Sequence, residues 1–246
     1  MKGLGERLRE ASGEELQALI EERASELRVE DALQALRNPW VSREVVALLL
    51  AQRRLLGAYT LRRELAAHRL TPEAAAVTLL AGLFWRDLSE IQRQVRVAPR
   101  IRRAAESQLV ARLPGLSLGE KIALARRATG AVVGALGSER SGRVISAVLE
   151  NPRCTEGLVV RLVRSPRTAP EVLETVARDQ RWARLLEVRR GLGLNPRSPV
   201  AVVLGLLPTL RKSDLRAITR NVALAAPVRR RAALLLGEEP PGPSRR

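Results

Sequence analysis

Three times in this chain an Asn-Pro pair stands a few residues ahead of an apolar run: NPWVSREVVALLL at 38–50, NPRCTEGLVVRLV at 151–163 and NPRSPVAVVLGLLP at 195–208. Proline has no amide hydrogen, and its ring drives the preceding residue out of the helical region. Asn38, Asn151 and Asn195 therefore mark places where a helix must stop. Three or four residues on, Ser42, Thr155 and Ser198 offer hydroxyls to the open amides of a new helix, and Pro199 suits a first helical position. SPRTAPEVLETVA at 165–177 is a fourth version, with Ser165 in place of Asn and the helix starting between Thr168 and Glu171. HRLTPEAAAVTLL at 68–80 keeps the second half alone, with Thr71 as cap and Pro72 as first residue. A chain punctuated this often predicts short helices, and no alternating β-branched runs compete with them.

A longer echo makes the arrangement tandem. TPEAAAVTLLAGLFWRDLSEIQRQV (71–95) aligns with SPVAVVLGLLPTLRKSDLRAITRNV (198–222) at an offset of 127, setting Asp87 on Asp214, Ile91 on Ile218 and Arg93 on Arg220. One residue of slip then brings Pro99 to Pro227 and Arg102-Arg103-Ala104-Ala105 to Arg230-Arg231-Ala232-Ala233. A helix pair of this size cannot bury its apolar face alone and must stack on neighbours. NPRSPVAVVLGLL and SPRTAPEVLETVARDQRW resemble the leucine-rich repeat variant, whose repeats read roughly N-P-x-T-P-x-x-V-L-x-x-L-A, and more broadly HEAT-like repeats, the likeness being strongest over 151–208. That resemblance implies an all-α, right-handed α-solenoid in which α-helices alternate with short 3₁₀ helices; it implies no activity. The expected organisation is an acidic N-terminal capping helix region at 1–35, opened by the capping box Ser12-x-x-Glu15, and a repeat array at 36–236. Units fall near 36–66, 68–112, 118–150, 151–164, 165–194 and 195–236, followed by a disordered tail at 237–246 that lacks apolar anchors.

The core of such an array must be aliphatic, because the aromatic residues are Trp40, Trp85, Trp182, Tyr59 and Phe84 alone. The surface is strongly basic. Residues 1–50 carry 7 basic and 10 acidic side chains, whereas residues 51–246 carry 36 and 16, for a net charge of +17. Of the 43 basic residues 40 are arginine, which GC-rich coding alone would also produce, so a polyanion partner and a partner-neutral basic surface both fit. Arg161, Arg164 and Arg167 recur every third residue, Arg178, Arg181 and Arg184 repeat the interval, and Arg100, Arg102 and Arg103 match Arg229, Arg230 and Arg231 by repeat position. If equivalent positions face one way, these arginines make a stripe that grips phosphates without reading bases. Otherwise their stems cover Leu and Val on a solvated face. The expected partner is nucleic acid backbone or, on the same curved surface, an acidic protein.

Little else carries chemistry. One cysteine, Cys154, and one histidine, His68, allow neither a disulfide nor a Cys/His metal site, and the cysteines of an iron–sulfur module known in the family are missing, so no cofactor is expected. Arg153 could lower the Cys154 pKa, but a small residue in a turn is the simpler reading. His68 ends a helix, where a cationic imidazole would favour the dipole. Asp87 and Asp214 read as helix caps at equivalent positions. Gly130-x-x-x-Gly134 reads as close helix packing, and Gly191-x-Gly193 lacks the third glycine and the strand of a dinucleotide site. HEAT-like DNA glycosylases use Trp and Asp on a basic face, and Trp85 with Asp87 or Trp182 with Asp179 have those residue types; the expectation is nonetheless a binding protein rather than an enzyme. No apolar segment follows MKGLGERLRE, and apolar runs of about ten residues, around 128–137 and 199–208, fall short of the ~20 that a bilayer span requires. A cytoplasmic protein with no membrane partner and no small-molecule substrate is expected.

Overall fold

The computed structural model describes residues 3–239, and among them every regular element is helical. The chain divides into two compact units after Pro114. The first contains α1 (Leu4–Glu10), α2 (Gly13–Glu22), α3 (Val29–Arg37), α4 (Arg43–Ala51), α5 (Tyr59–Ala67), α6 (Glu73–Leu80), α7 (Trp85–Ile91) and α8 (Pro99–Arg112). The second contains α9 (Leu118–Ala125), α10 (Gly130–Leu136), α11 (Gly142–Glu150), α12 (Glu156–Arg164), α13 (Pro170–Arg178), α14 (Gln180–Ala183), α15 (Leu186–Leu194), α16 (Val200–Leu206), α17 (Lys212–Arg220) and α18 (Ala226–Leu236). Of the expected tail, 240–246 lie outside the described residues; Gly237, at φ 72°, ends α18 in a left-handed conformation that glycine adopts without a Cβ penalty.

The two units are copies of one plan. Adding 127 to the bounds of α3, α4 and α5 gives 156–164, 170–178 and 186–194, the bounds of α12, α13 and α15. The first residues of α6, α7 and α8, shifted likewise, are Val200, Lys212 and Ala226, which open α16, α17 and α18. The cores follow. Val45, Val46 and Leu49 in α4 are buried, as are Val172, Leu173 and Val176 in α13; Ile101 and Ala105 are buried, as are Val228 and Ala232. That last pairing holds the offset at 127 through the final helix, so the one-residue slip expected from Pro99 and Pro227 does not occur: Arg102 and Arg103 correspond to Arg229 and Arg230. Within each unit helices pack on their second neighbours, α1 on α3, α3 on α5 and α2 on α4 in the first, α9 on α11, α11 on α13 and α16 on α18 in the second. Residues of α1, α2 and α3 share one apolar core with α4 and α5, so residues 4–37 are part of the first copy's packing.

Between successive helices runs a tight turn, and its first residue does more than end a helix. Asn38 is 2 % exposed; its Nδ2 donates to the carbonyls of Leu8 (2.8 Å) and Ala11 (2.9 Å), and its Oδ1 accepts from the Trp40 amide (2.7 Å). Asn151 donates to Ala125 (2.6 Å) and Ala128 (3.1 Å) and accepts from Arg153 (2.7 Å). Asn195 donates to Val163 (2.7 Å) and Ser165 (2.9 Å) and accepts from Arg197 (2.9 Å). Carbonyls at a helix C-terminus have no partner within their own helix. The asparagines satisfy them from the next layer.

His68 stands where Asn195 stands, 127 residues earlier, and imitates it. Its Nδ1 accepts from the Leu70 amide (3.3 Å), and the ring also hydrogen bonds the Leu36 backbone. Burial, and after it the Arg69 charge, hold its pKa below the ordinary 6.5. The expected cationic helix-end histidine is therefore a neutral one near pH 7, since an acceptor nitrogen cannot carry a proton.

Several first turns also differ from expectation. Ser42 and Thr155 accept from Val45 (3.3 Å) and Leu158 (3.3 Å) as caps should. Ser198 does not cap α16; its hydroxyl donates back to Leu192 (2.7 Å), as Thr168 does to Leu162 (2.7 Å). Pro72 and Pro199 sit at the N-cap rather than inside the helix, displacing Thr71 and Ser198 by one residue. Asp87 and Asp214 are not caps. They lie in the first turns of α7 and α17 and meet Arg63 (3.8 Å) and Arg190 (3.1 Å), residues that also correspond at 127. Gly191 is required by packing, because a Cβ there would lie 2.5 Å from Val163 Cγ2.

Asn195→Ala should lower unfolding free energy by about 1–3 kcal/mol, measured by urea denaturation, since it strands the buried Val163 carbonyl, while the Ser165 carbonyl keeps the Thr168 amide. The folded state depresses the His68 pKa, so its contribution is full above the unfolded value and is lost as pH falls. Stability of the wild type should thus drop between about pH 7 and about pH 5 by more than that of His68→Asn, which keeps the bridge and cannot protonate. Parallel losses in the two proteins would contradict the bridge.

Candidate anion-binding edge

The turn that begins at Asn195 places its third residue outward: the Arg197 amide is tied to Asn195 while its side chain is exposed. Arg167 holds the same place after Ser165, its amide donating to the Ser165 hydroxyl (3.3 Å). Because Asn195 Nδ2 donates to the Ser165 carbonyl, these two turns lie side by side and Arg167 and Arg197 share an edge. Beside them a cavity of about 450 Å³ is lined by Arg140, Arg161 and Arg167 together with Leu158, Leu162 and Gly137. The acid in its wall, Glu139, is held by Lys121 at 2.9 Å. Among the described residues, Arg140, Arg161, Arg167 and Arg197 make no ion pair with a carboxylate. Guanidinium groups stay charged at any physiological pH, and three around one cavity repel each other until an anion arrives.

The other arginines expected in a stripe are dispersed. Arg164 is bonded to Glu187, Arg100 to Glu73 (3.3 Å), and Arg181 lies over the Trp182 ring with its Cζ 4.4 Å from the centroid. Arg102 is half-buried, whereas Arg103, Arg184, Arg230 and Arg231 are exposed. Arg229 is 7 % exposed and so belongs to the packing, not to a solvent-facing stripe; it sits beside buried Val228 on the inner face of α18. Arg100, Arg102 and Arg103 lie in one unit and Arg229 to Arg231 in the other. Sequence reasoning missed Arg140, which no local pattern flags, and Arg197, which the NPR shared with Arg153 could have shown.

The first copy supplies an internal comparison. Subtracting 127 from Arg140, Arg161, Arg167 and Arg197 gives Gly13, Gln34, Trp40 and Leu70. None is basic, although the backbone plan is the same. Residues 1–114 hold 19 basic and 15 acidic side chains, and 115–246 hold 24 and 11, so net charge is +4 in one half and +13 in the other.

Other candidate chemistry resolves into structure. Burial pushes the Cys154 thiol up to about 11, with Arg181, not Arg153, opposing it weakly. Trp182 is buried and donates its indole N–H to the Leu149 carbonyl (3.2 Å), and Asp179 caps the short α14 by accepting from the Arg181 and Trp182 amides (2.9 and 3.1 Å). Asp87 accepts from the Tyr59 hydroxyl. Among the described residues no cluster of three His, Cys, Asp or Glu side chains could hold a metal, and no helix is long and apolar enough to cross a membrane. Cys154 should react with a disulfide reagent near pH 8 on the order of a hundredfold more slowly in the folded protein than in urea, as the thiolate fraction dictates. Equal rates would place it at the surface. Set against known protein families, curated proteins and solved structures, the chain matches none.

Proposed function

We propose that this protein is a non-catalytic, cytoplasmic α-solenoid, of the leucine-rich repeat variant or HEAT-like kind, that binds nucleic acid through its phosphates without reading sequence. Packing of many helices on their second neighbours, with turns bridged layer to layer, supports the solenoid reading. The binding reading rests on one observation: four exposed arginines without carboxylate partners line one edge of the second copy, where the first copy has Gly13, Gln34, Trp40 and Leu70. A phosphodiester offers two anionic oxygens to each planar guanidinium, and a flexible chain of phosphates can engage several at once. Such contacts fix position along a backbone and carry no base information.

Fluorescence anisotropy with labelled single- and double-stranded oligonucleotides, at about 50 and about 200 mM salt, tests this. Affinity should fall steeply with salt, and changing Arg140, Arg161 and Arg167 together to Ala should reduce the log–log salt slope by about two to three. No binding at the lower salt, or an unchanged slope in the triple variant, would overturn the reading. Stronger binding to polyglutamate than to any nucleic acid would move the assignment to an acidic protein partner.

A further inference from the structure

The first copy carries a cluster of a different character. Tyr59 and Phe84 have ring centroids 4.8 Å apart at an interplanar angle of 40°. The Tyr59 hydroxyl accepts from the Phe84 amide (3.0 Å) and donates to Asp87, which fixes both rings at the start of α7. Phe84 is nonetheless 67 % exposed, and Trp85 beside it is half-buried. Two guanidiniums attend the rings: Arg62 Cζ lies 5.9 Å from the Tyr59 centroid and Arg86 Cζ 5.5 Å from that of Trp85.

Packing does not demand these aromatics. At an offset of 127, Tyr59, Phe84 and Trp85 become Leu186, Arg211 and Lys212, while the buried residues around them persist as Leu61 and Val188, Leu83 and Leu210, Leu88 and Leu215. The same turn and the same helix start therefore form with cations in place of rings. An exposed ring whose aromatic neighbours carry guanidiniums suits a ligand that is flat and apolar on its face and anionic at its margin. A nucleobase on its phosphodiester chain has that chemistry, and every base offers a π-face whatever its identity.

We infer that Phe84, braced by Tyr59 and set between two rings that each carry a guanidinium, Arg62 on Tyr59 and Arg86 on Trp85, is a stacking platform for an unpaired base, so that the polymer recognised is single-stranded. The inference rests on the nucleic-acid reading above and narrows it. In a duplex both faces of each base are covered by its neighbours, and only the backbone remains for the arginines of the second copy. In a single strand the bases are free to stack, and the platform adds affinity without adding sequence preference.

The test uses the full chain and three labelled probes of equal length at about 50 mM salt: oligo-dT, the same backbone with abasic sites, and a duplex. Phe84→Ala should weaken oligo-dT binding by about fivefold to a hundredfold and leave the abasic and duplex probes unchanged, while Phe84→Trp keeps the wild-type affinity. Phe84 is mostly solvated, so circular dichroism of Phe84→Ala should match the wild type. In a Trp40→Phe background, where the other remaining tryptophan, Trp182, is buried, oligo-dT should quench the part of the emission that Phe84→Ala leaves unquenched. Wild-type binding that is equal for oligo-dT and the abasic strand, or an equal loss on all three probes in Phe84→Ala, would overturn the platform while the backbone reading stands. Binding to none of the probes would overturn both.

Discussion

A buried asparagine amide that faces two ways organises three of the turns of this protein. One side of Asn38, Asn151 or Asn195 closes the local turn by accepting from the residue two ahead, and the other donates two hydrogen bonds to a helix end 23–32 residues earlier. Apolar contacts between Leu, Val and Ala faces are worth more in total, at about 25 cal/mol per Å² buried, but they have no direction and tolerate sliding. A buried amide does not. If one helix slid past its neighbour, a donor and two carbonyls would be left unpaired in a low-dielectric interior. The aliphatic core thus supplies cohesion, and the asparagines supply register. His68 shows that the requirement is for an acceptor and a donor held back to back, not for an amide as such.

Those turns also explain the uneven spacing of the motif. Turn residues 38, 68 and 94 of the first copy are 30 and 26 residues apart, and 165, 195 and 221 repeat both intervals, each turn returning the amide at its fourth residue to its own carbonyl. Asn151 adds the turn at the opposite end of α12, which brings Pro152 within 14 residues of Pro166. The repeating object is accordingly the whole block of 127 residues, and shorter periods look irregular because each block contains unlike pairs. The Arg63–Asp87 and Arg190–Asp214 contacts recur in both blocks, which marks them as parts of the shared plan.

Much of this was legible in the residues, and what was not had physical reasons. Proline fixed where helices stop, the hydroxyls of Ser42 and Thr155 where two of them start, and the 127-residue echo announced the duplication over 71–95. A local pattern, however, says nothing about what a side chain reaches across 30 residues, so Asn38 read as a terminator and not as a bridge. The histidine and the two aspartates were misread for the same cause: position at a helix end suggested a charge–dipole role, whereas a neighbouring layer set their state. Spacing of three likewise grouped Arg161, Arg164 and Arg167, yet Glu187 from α15 neutralises the middle one, and Arg140 from before α11 completes the set. Arg229 failed because a one-residue slip was allowed where the helix starts allow none, and that slip exchanges an inner face for an outer one.

An internal duplication also separates two explanations of an arginine-rich surface that composition leaves tangled. Coding bias acts on both halves alike, and a fold requirement recurs at equivalent positions. Arginine is nearly as frequent in the first unit as in the second, so frequency does not set the second copy's edge apart; placement does, since Gly13, Gln34, Trp40 and Leu70 occupy its counterpart. The exposed rings likewise lack a counterpart, being present only in the first copy, with Arg211 and Lys212 at the equivalent positions. Two copies with one backbone plan thus carry unlike surfaces, one aromatic and one cationic, and on the proposed reading these answer to the aromatic bases and the anionic phosphates that alternate along a single strand.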